Sequence, residues 1–156
     1  MRWIKARRQR AVRQFALPNQ TEILPVLSPA HPLWLVGFRP FFALACLAGL
    51  SLPIAWILIF KGVLPAPAQP FSAVQWHAHE MFFGFGWAVL GGFLLTSTKN
   101  WVGVRGYHGA TLMFLAAAWL VERIGMSFGA DWPLPLFLLS NNLFLCSIVV
   151  LLLATL

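Results

Sequence analysis

Two histidines and a glutamate lie close together in the segment Trp76–Met81, which reads WHAHEM. At about 100° per residue, His77 and His79 point to nearly opposite sides of a regular α-helix, so they are not expected to bind one metal ion together unless the helix is distorted there. His77 and Glu80 are three residues apart and share a face. Neutral imidazole is a common ligand of metals and of haem iron, and a nearby carboxylate can orient the ring. The segment predicts a ligand site centred on His77, with His79 directed to another partner.

The face shared by His77 and Glu80 continues through the small residues Gly84, Ala88 and Gly91. Small residues allow a second helix to approach closely in a membrane. We therefore expect His77 to face the interior of a helix bundle. The alternative is that both histidines are ordinary polar residues of the membrane interface.

The composition requires these residues to be positioned by membrane helices. Of 156 residues, 60% are hydrophobic and 10% are charged, and the mean hydropathy is +0.77. Soluble domains carry about a quarter charged residues, because their surface faces water. The sequence predicts an all-α fold, a polytopic transmembrane helix bundle of about four spans. The expected spans are 40–60, 73–97, 109–128 and 133–156.

Two of these spans have informative boundaries. Ser72 and Gln75 have the spacing of a capping box, which predicts a helix from Ala73. The apolar run Ala110–Val121 is too short to cross a bilayer at 1.5 Å per residue. The third span must therefore continue through Glu122 and Arg123, which places both charges in the membrane, where they need partners.

Charge is distributed unevenly along the chain. Six of the eleven basic residues fall within positions 1–13, a pattern that favours a cytoplasmic segment before the first span over nucleic-acid binding. We expect a basic cytoplasmic N-terminal segment over 1–39 and a transmembrane domain over 40–156. The loop carrying Lys99 and Arg105 is then also cytoplasmic, and the protein is a multi-pass protein of the inner membrane.

With this topology the polar residues form two layers. The outer layer is the stronger candidate for a site, because several titratable groups converge at one depth. It comprises His77, His79, Glu80, Glu122 and Arg123, whereas the inner layer comprises His31, Arg39 and His108. Cys46 and Cys146 lie singly in apolar runs and are expected to be packing residues.

Two segments resemble the N-terminal portion of the NnrS family. They are HPLWLVGFRPFF, from His31 to Phe42, and WHAHEMFFGF…GFLLT…NW, from Trp76 to Trp101. The resemblance covers residues 31–125. One departure is that Val102-Gly103 follows Trp101 where the family commonly has Thr-Gly.

The resemblance implies a bacterial haem- and copper-containing inner-membrane protein linked to nitric oxide and denitrification, which acts against nitrosative stress. It implies haem b and copper as cofactors. His77 and His79, with Glu80 beside them, are the leading cofactor-binding residues and metal ligands by this resemblance, and His31 and His108 follow.

An alternative is a cofactor-free membrane subunit or transporter-like module, or a truncated fragment of a longer family member. The expected partners are the lipid bilayer and either further copies of the chain or further membrane spans. The intramembrane groups Glu122, Arg123, Asn141 and Asn142 motivate that association, because few polar partners are expected from four helices. No nucleic-acid partner is expected.

The topology leads to a direct prediction. Alkaline phosphatase is active only outside the cytoplasm, so a fusion after Gly106 should be inactive and a fusion after Gly62 active. The measurement is phosphatase activity at matched expression. The reverse pattern would contradict the topology.

Overall fold

A computed structural model of the chain describes residues 24–65 and 72–155. Within these ranges the structure is helical, with no β-strand. Four helices are long and apolar enough to cross a membrane, which confirms the predicted fold class: α1 Phe38–Phe60, α2 Ala73–Val102, α3 Ala110–Phe128 and α4 Leu134–Leu153. A 3₁₀ turn, Pro32–Leu35, precedes α1, and another, Gly129–Asp131, follows α3. The basic residues at positions 2–13 lie outside the described ranges.

The start of α1 depends on a contact with another helix. Pro40 was expected at the first helical position, but α1 begins at Phe38. Proline is accommodated at the third position because the first N–H groups of a helix have no acceptor within that helix. Gly37 provides no side-chain cap. Instead, the Phe38 N–H donates to Thr96 Oγ1 of α2 at 3.0 Å.

The α2 helix begins with the predicted capping box. The Gln75 N–H donates to Ser72 Oγ at 3.2 Å, and the Ser72 N–H donates to Gln75 Oε1 at 2.9 Å. The helix continues to Val102 and ends at Gly103, whose φ of 72° is the left-handed conformation favoured by glycine. It is not regular, however, because Glu80–Gly86 forms a π-helical segment. His77 and His79 lie in the α-helical stretch Ala73–His79, directly before this distortion.

The helices alternate in direction and pack mainly as two pairs, α1 with α2 and α3 with α4. Phe41 and Phe144, both fully buried, join the pairs with their ring centroids 5.6 Å apart. Two adjacent glycines allow the close packing. A Cβ on Gly91 would lie 2.6 Å from Ile148 Cδ1 of α4, and a Cβ on Gly92 would lie 2.8 Å from Phe41 Cβ of α1.

Two ends of this bundle can be distinguished. The Glu80 end contains the end of α1, the start of α2, the end of α3 and the start of α4. The Lys99 end contains the opposite helix ends, and there the Tyr107 hydroxyl donates to the Leu151 carbonyl at 2.9 Å. Asn141 and Asn142 donate to the Phe137 and Leu138 carbonyls of their own helix.

Packing at Gly92 provides a test of the bundle. Gly92→Val should lower the free energy of unfolding by about 1–3 kcal/mol, because the added side chain overlaps the buried Phe41. Ala43→Val on the exposed face of α1 is the control and should change it by about 0.5 kcal/mol or less. Unfolding in mild detergent, followed by circular dichroism, measures both. Equal effects of the two substitutions would contradict the packing.

Candidate functional site

The candidate site lies at the Glu80 end of the bundle, where α2 and α3 bring three charged side chains together. Glu80 is seven residues after Ala73, about 10 Å along the helix from its start. Glu80 is 0% exposed and Glu122 is 2% exposed. Charged groups at such depth are costly in lipid and need compensating partners.

Arg123 is the partner of both carboxylates. Its Nη1 donates to Glu80 Oε2 at 3.0 Å, and its Nη2 forms an ion pair with Glu122 Oε1. Glu122 and Arg123 therefore have charged partners inside the bundle, as their position within the third span requires. With both carboxylates ionised the three groups carry a net charge of minus one, so the cluster favours one additional proton or cation.

Trp119 and Gly84 hold the arginine in place. The Arg123 guanidinium lies 5.5 Å from the centre of the Trp119 ring, within cation–π range. The Trp119 Nε1–H donates to the Gly84 carbonyl in the π-helical segment at 2.9 Å. A Cβ on Gly84 would overlap Arg123 Nη1 and lie 3.2 Å from Glu80 Oε2. Glycine at this position leaves room for the ion pair.

His77 faces α1, not the centre of the bundle. Its ring stacks on Trp56 with centroids 4.5 Å apart and an angle of 21° between the planes. Trp76, at 3% exposure, is the buried residue one turn before Glu80. Glu80, Gly84, Ala88 and Gly91 are buried as expected, but His77 is only half-buried beside them.

His79 lies closer than His77 to the buried carboxylate of Glu80. Its Nδ1 lies 3.7 Å from Glu80 Oε1, beyond hydrogen-bond distance but within reach of a bridging water or ion. Its ring packs against Phe83 with centroids 4.7 Å apart. The expectation that His79 points away from Glu80 is wrong. The two histidines do have different neighbours, α1 for His77 and the Glu80 carboxylate for His79.

His31 and His108 lie at the Lys99 end, away from the Glu80 cluster. His31 Nδ1 accepts a hydrogen bond from the Leu33 N–H at 3.1 Å, where it caps the first 3₁₀ turn. His108 Nδ1 lies 3.1 Å from the Gly106 carbonyl. Within residues 24–65 and 72–155, no group of three His, Cys, Asp or Glu side chains is arranged to hold a metal ion. Cys46 and Cys146 are exposed on the helix surfaces.

Unpaired polar atoms are concentrated at the Glu80 end. In the described part of the chain, the buried side-chain nitrogen and oxygen atoms without a hydrogen-bond partner belong, except for Asn141 Oδ1, to this site. Native proteins leave few such atoms, and each indicates a bound water, an ion or a functional role. The residues concerned are Trp56, Trp76, His77, His79, Glu80 and Arg123.

Trp56 and Trp119 are two residues of the site that the sequence patterns did not indicate. Tryptophan is typical of the membrane interface, but Trp119 is 3% exposed and lies in the bundle. A signal for Trp119 was available, since it precedes Arg123 by four residues and therefore shares its helical face. Trp56 carries no comparable signal, because its partner His77 belongs to another helix.

Four membrane-spanning helices with a buried ion cluster at one end define a multi-pass helical membrane protein. The family model "NnrS protein" matches residues 32–156, which extends the resemblance at 31–125 through the fourth helix. The chain belongs to the NnrS family, and it is an NnrS-type protein linked to the nitric oxide response. No curated protein and no solved structure matches it.

The Arg123 ion pairs provide a test of the site. Arg123→Met should lower the free energy of unfolding by about 3–5 kcal/mol, because Glu80 is left buried without a counter-charge. Glu80→Gln in the same chain should recover part of that loss, since a neutral amide is less costly to bury. Arg105→Met in the exposed loop is the control. If chemical unfolding shows equal stability for Arg123→Met and Arg105→Met, the ion pair does not stabilise the fold.

Proposed function

We propose that this chain binds haem b, copper or both at the Glu80 end and acts in the response to nitrosative stress. The observation that carries the proposal is the set of unpaired buried polar atoms around His77, His79 and Glu80. A neutral imidazole nitrogen buried without a partner is costly, whereas a nitrogen engaged by a cofactor, water or neighbouring group is not. Family membership supports the same assignment.

The residues fit haem better than a closed copper site. A single imidazole can hold haem iron, and His77, whose ring stacks on Trp56, would be that ligand. A closed copper site requires more donors than the described residues bring together. In this proposal His79 is a copper ligand, and the other donors come from a second copy of the chain or from a further membrane span.

Each residue has a separate task in this proposal. His77 and His79 are the ligands, and bound haem or copper supplies a metal to which nitric oxide coordinates. Glu80 accepts a hydrogen bond from a water that lies between its carboxylate and His79 Nδ1, which keeps the imidazole oriented. Arg123 fixes the Glu80 carboxylate, and the surrounding tryptophans and apolar side chains exclude bulk water.

A second candidate function is a cofactor-free membrane subunit or transporter-like module. Two observations favour it: the described residues form no three-donor metal group, and Arg123 pairs with both carboxylates. Visible absorbance distinguishes the two functions, because a haem protein is coloured after purification and a bare subunit is colourless.

We further propose that the chain lies in the bacterial inner membrane with its N-terminus in the cytoplasm. The basic residues at positions 2–13 and the exposed cations at the Lys99 end support this orientation. Self-association remains part of the proposal, since Asn142 is exposed on α4 and an exposed amide in lipid can bind another helix. The phosphatase fusions test the orientation.

The ligand assignment leads to a prediction for single variants. His77→Ala should abolish binding of one cofactor, and His79→Ala should abolish or reduce binding of the other, because their rings have different neighbours. The readouts are the haem absorbance spectrum and the copper content of the purified protein. His108→Ala, at the opposite end, is the control and should retain both cofactors. If both test variants keep wild-type haem and copper contents, the assignment is wrong.

A further inference from the structure

The Lys99 end contains a small cavity whose charge is not balanced by the described part of the chain. The cavity has a volume of about 110 Å³. It lies between the start of α1, the end of α2 and the loop that leads to α3. The side chains that bring polar groups to its wall are Thr96, Lys99, Arg105, Tyr107 and His108.

The neutral polar groups of this cavity are already paired. Thr96 Oγ1 accepts from the Phe38 N–H and donates to the Gly92 carbonyl at 2.9 Å. The Tyr107 hydroxyl donates to the Leu151 carbonyl. These hydrogen bonds fix the wall of the cavity, so the groups left to bind a ligand are the charged ones.

Lys99 and Arg105 are those charged groups. Within the described ranges, neither side chain has a hydrogen bond or ion pair to another residue. The three acidic residues of those ranges, Glu80, Glu122 and Asp131, all lie toward the opposite end. The stem of Lys99 lies against Gly106, since a Cβ there would be 3.2 Å from Lys99 Cδ. Two cations that converge on one cavity without a carboxylate favour an anion.

We propose that this cavity binds one phosphate group through Lys99 and Arg105. The size suits a single phosphate group, and the position at the helix ends is the depth of lipid headgroups. Exposed Trp101 and Val104 beside the cavity can contact acyl chains. The phosphate comes from an anionic phospholipid or from free inorganic phosphate, and this site is separate from the Glu80 end.

The first experiment measures retention of phosphatidylglycerol by the full-length chain, purified in mild detergent, with native mass spectrometry. Lys99→Ala and Arg105→Ala should each weaken retention about tenfold, as expected for loss of a charge-assisted hydrogen bond. Arg39→Ala is the matched control. Arg39 is a cation at the same end of the bundle, but it does not line the cavity, and its Nη1 donates to the Pro32 carbonyl at 2.8 Å.

The second experiment titrates inorganic phosphate and follows its ³¹P resonance with the same variants. If the Lys99 and Arg105 variants lose the lipid while the Arg39 variant retains it, the cavity is a headgroup site. If the Lys99 and Arg105 variants lose binding of inorganic phosphate while all variants retain the lipid equally, the cavity is a site for free phosphate. Equal losses in all three variants would show general attraction to positive charge and would overturn the proposal, as would binding of neither probe. Circular dichroism of each variant verifies that the helices are intact.

Discussion

The ion pair between Arg123 and Glu80 constrains the rest of this bundle. A carboxylate that is 0% exposed inside a membrane span is tolerated only beside a compensating charge, so α2 and α3 must meet at that depth. The guanidinium needs space against α2, and Gly84 provides it. Trp119 then lies under the guanidinium and donates to the Gly84 carbonyl. One electrostatic requirement thus determines the identity of a glycine and the position of a tryptophan.

The π-helical segment Glu80–Gly86 comes directly after the two histidines in the chain. Segments of this kind are rare and occur often at functional sites, because they change the direction in which side chains leave the helix. Here Trp76, Glu80 and Gly84 are buried, while His77 packs against α1. The same segment contains the carbonyl that accepts from Trp119. The distortion therefore links the histidine segment to the ion pair on α3.

The two ends of the bundle differ in how their charges are satisfied. At the Glu80 end, acids and a base are enclosed and pair with one another. At the Lys99 end, the described cations are exposed, and their compensation must come from outside the described residues. The first arrangement suits a buried reaction or ligand site in a water-poor environment. The second suits recognition of anions at the membrane surface.

Local chemistry in the sequence determined the helical class, the four spans and several of their boundaries. The capping box at Ser72 and the need to extend α3 through Arg123 are each dictated by a few neighbouring residues, and both are confirmed. The convergence of Glu80, Glu122 and Arg123 at one depth also follows from folding the spans back and forth. The family could be recognised from the motifs around His31 and His77.

Only the tertiary structure decided how the site residues face one another. A sequence pattern assumes 3.6 residues per turn, so it placed His77 beside Glu80 and directed His79 away. In the structure the approach of α1 brings Trp56 onto His77, and the His79 ring lies near the Glu80 carboxylate at the point where the π-helical segment begins. The separation of His31 and His108 from the Glu80 cluster also depends on which helix ends meet. Contacts between distant segments depend on packing, so the helical periodicity of a single segment does not predict them.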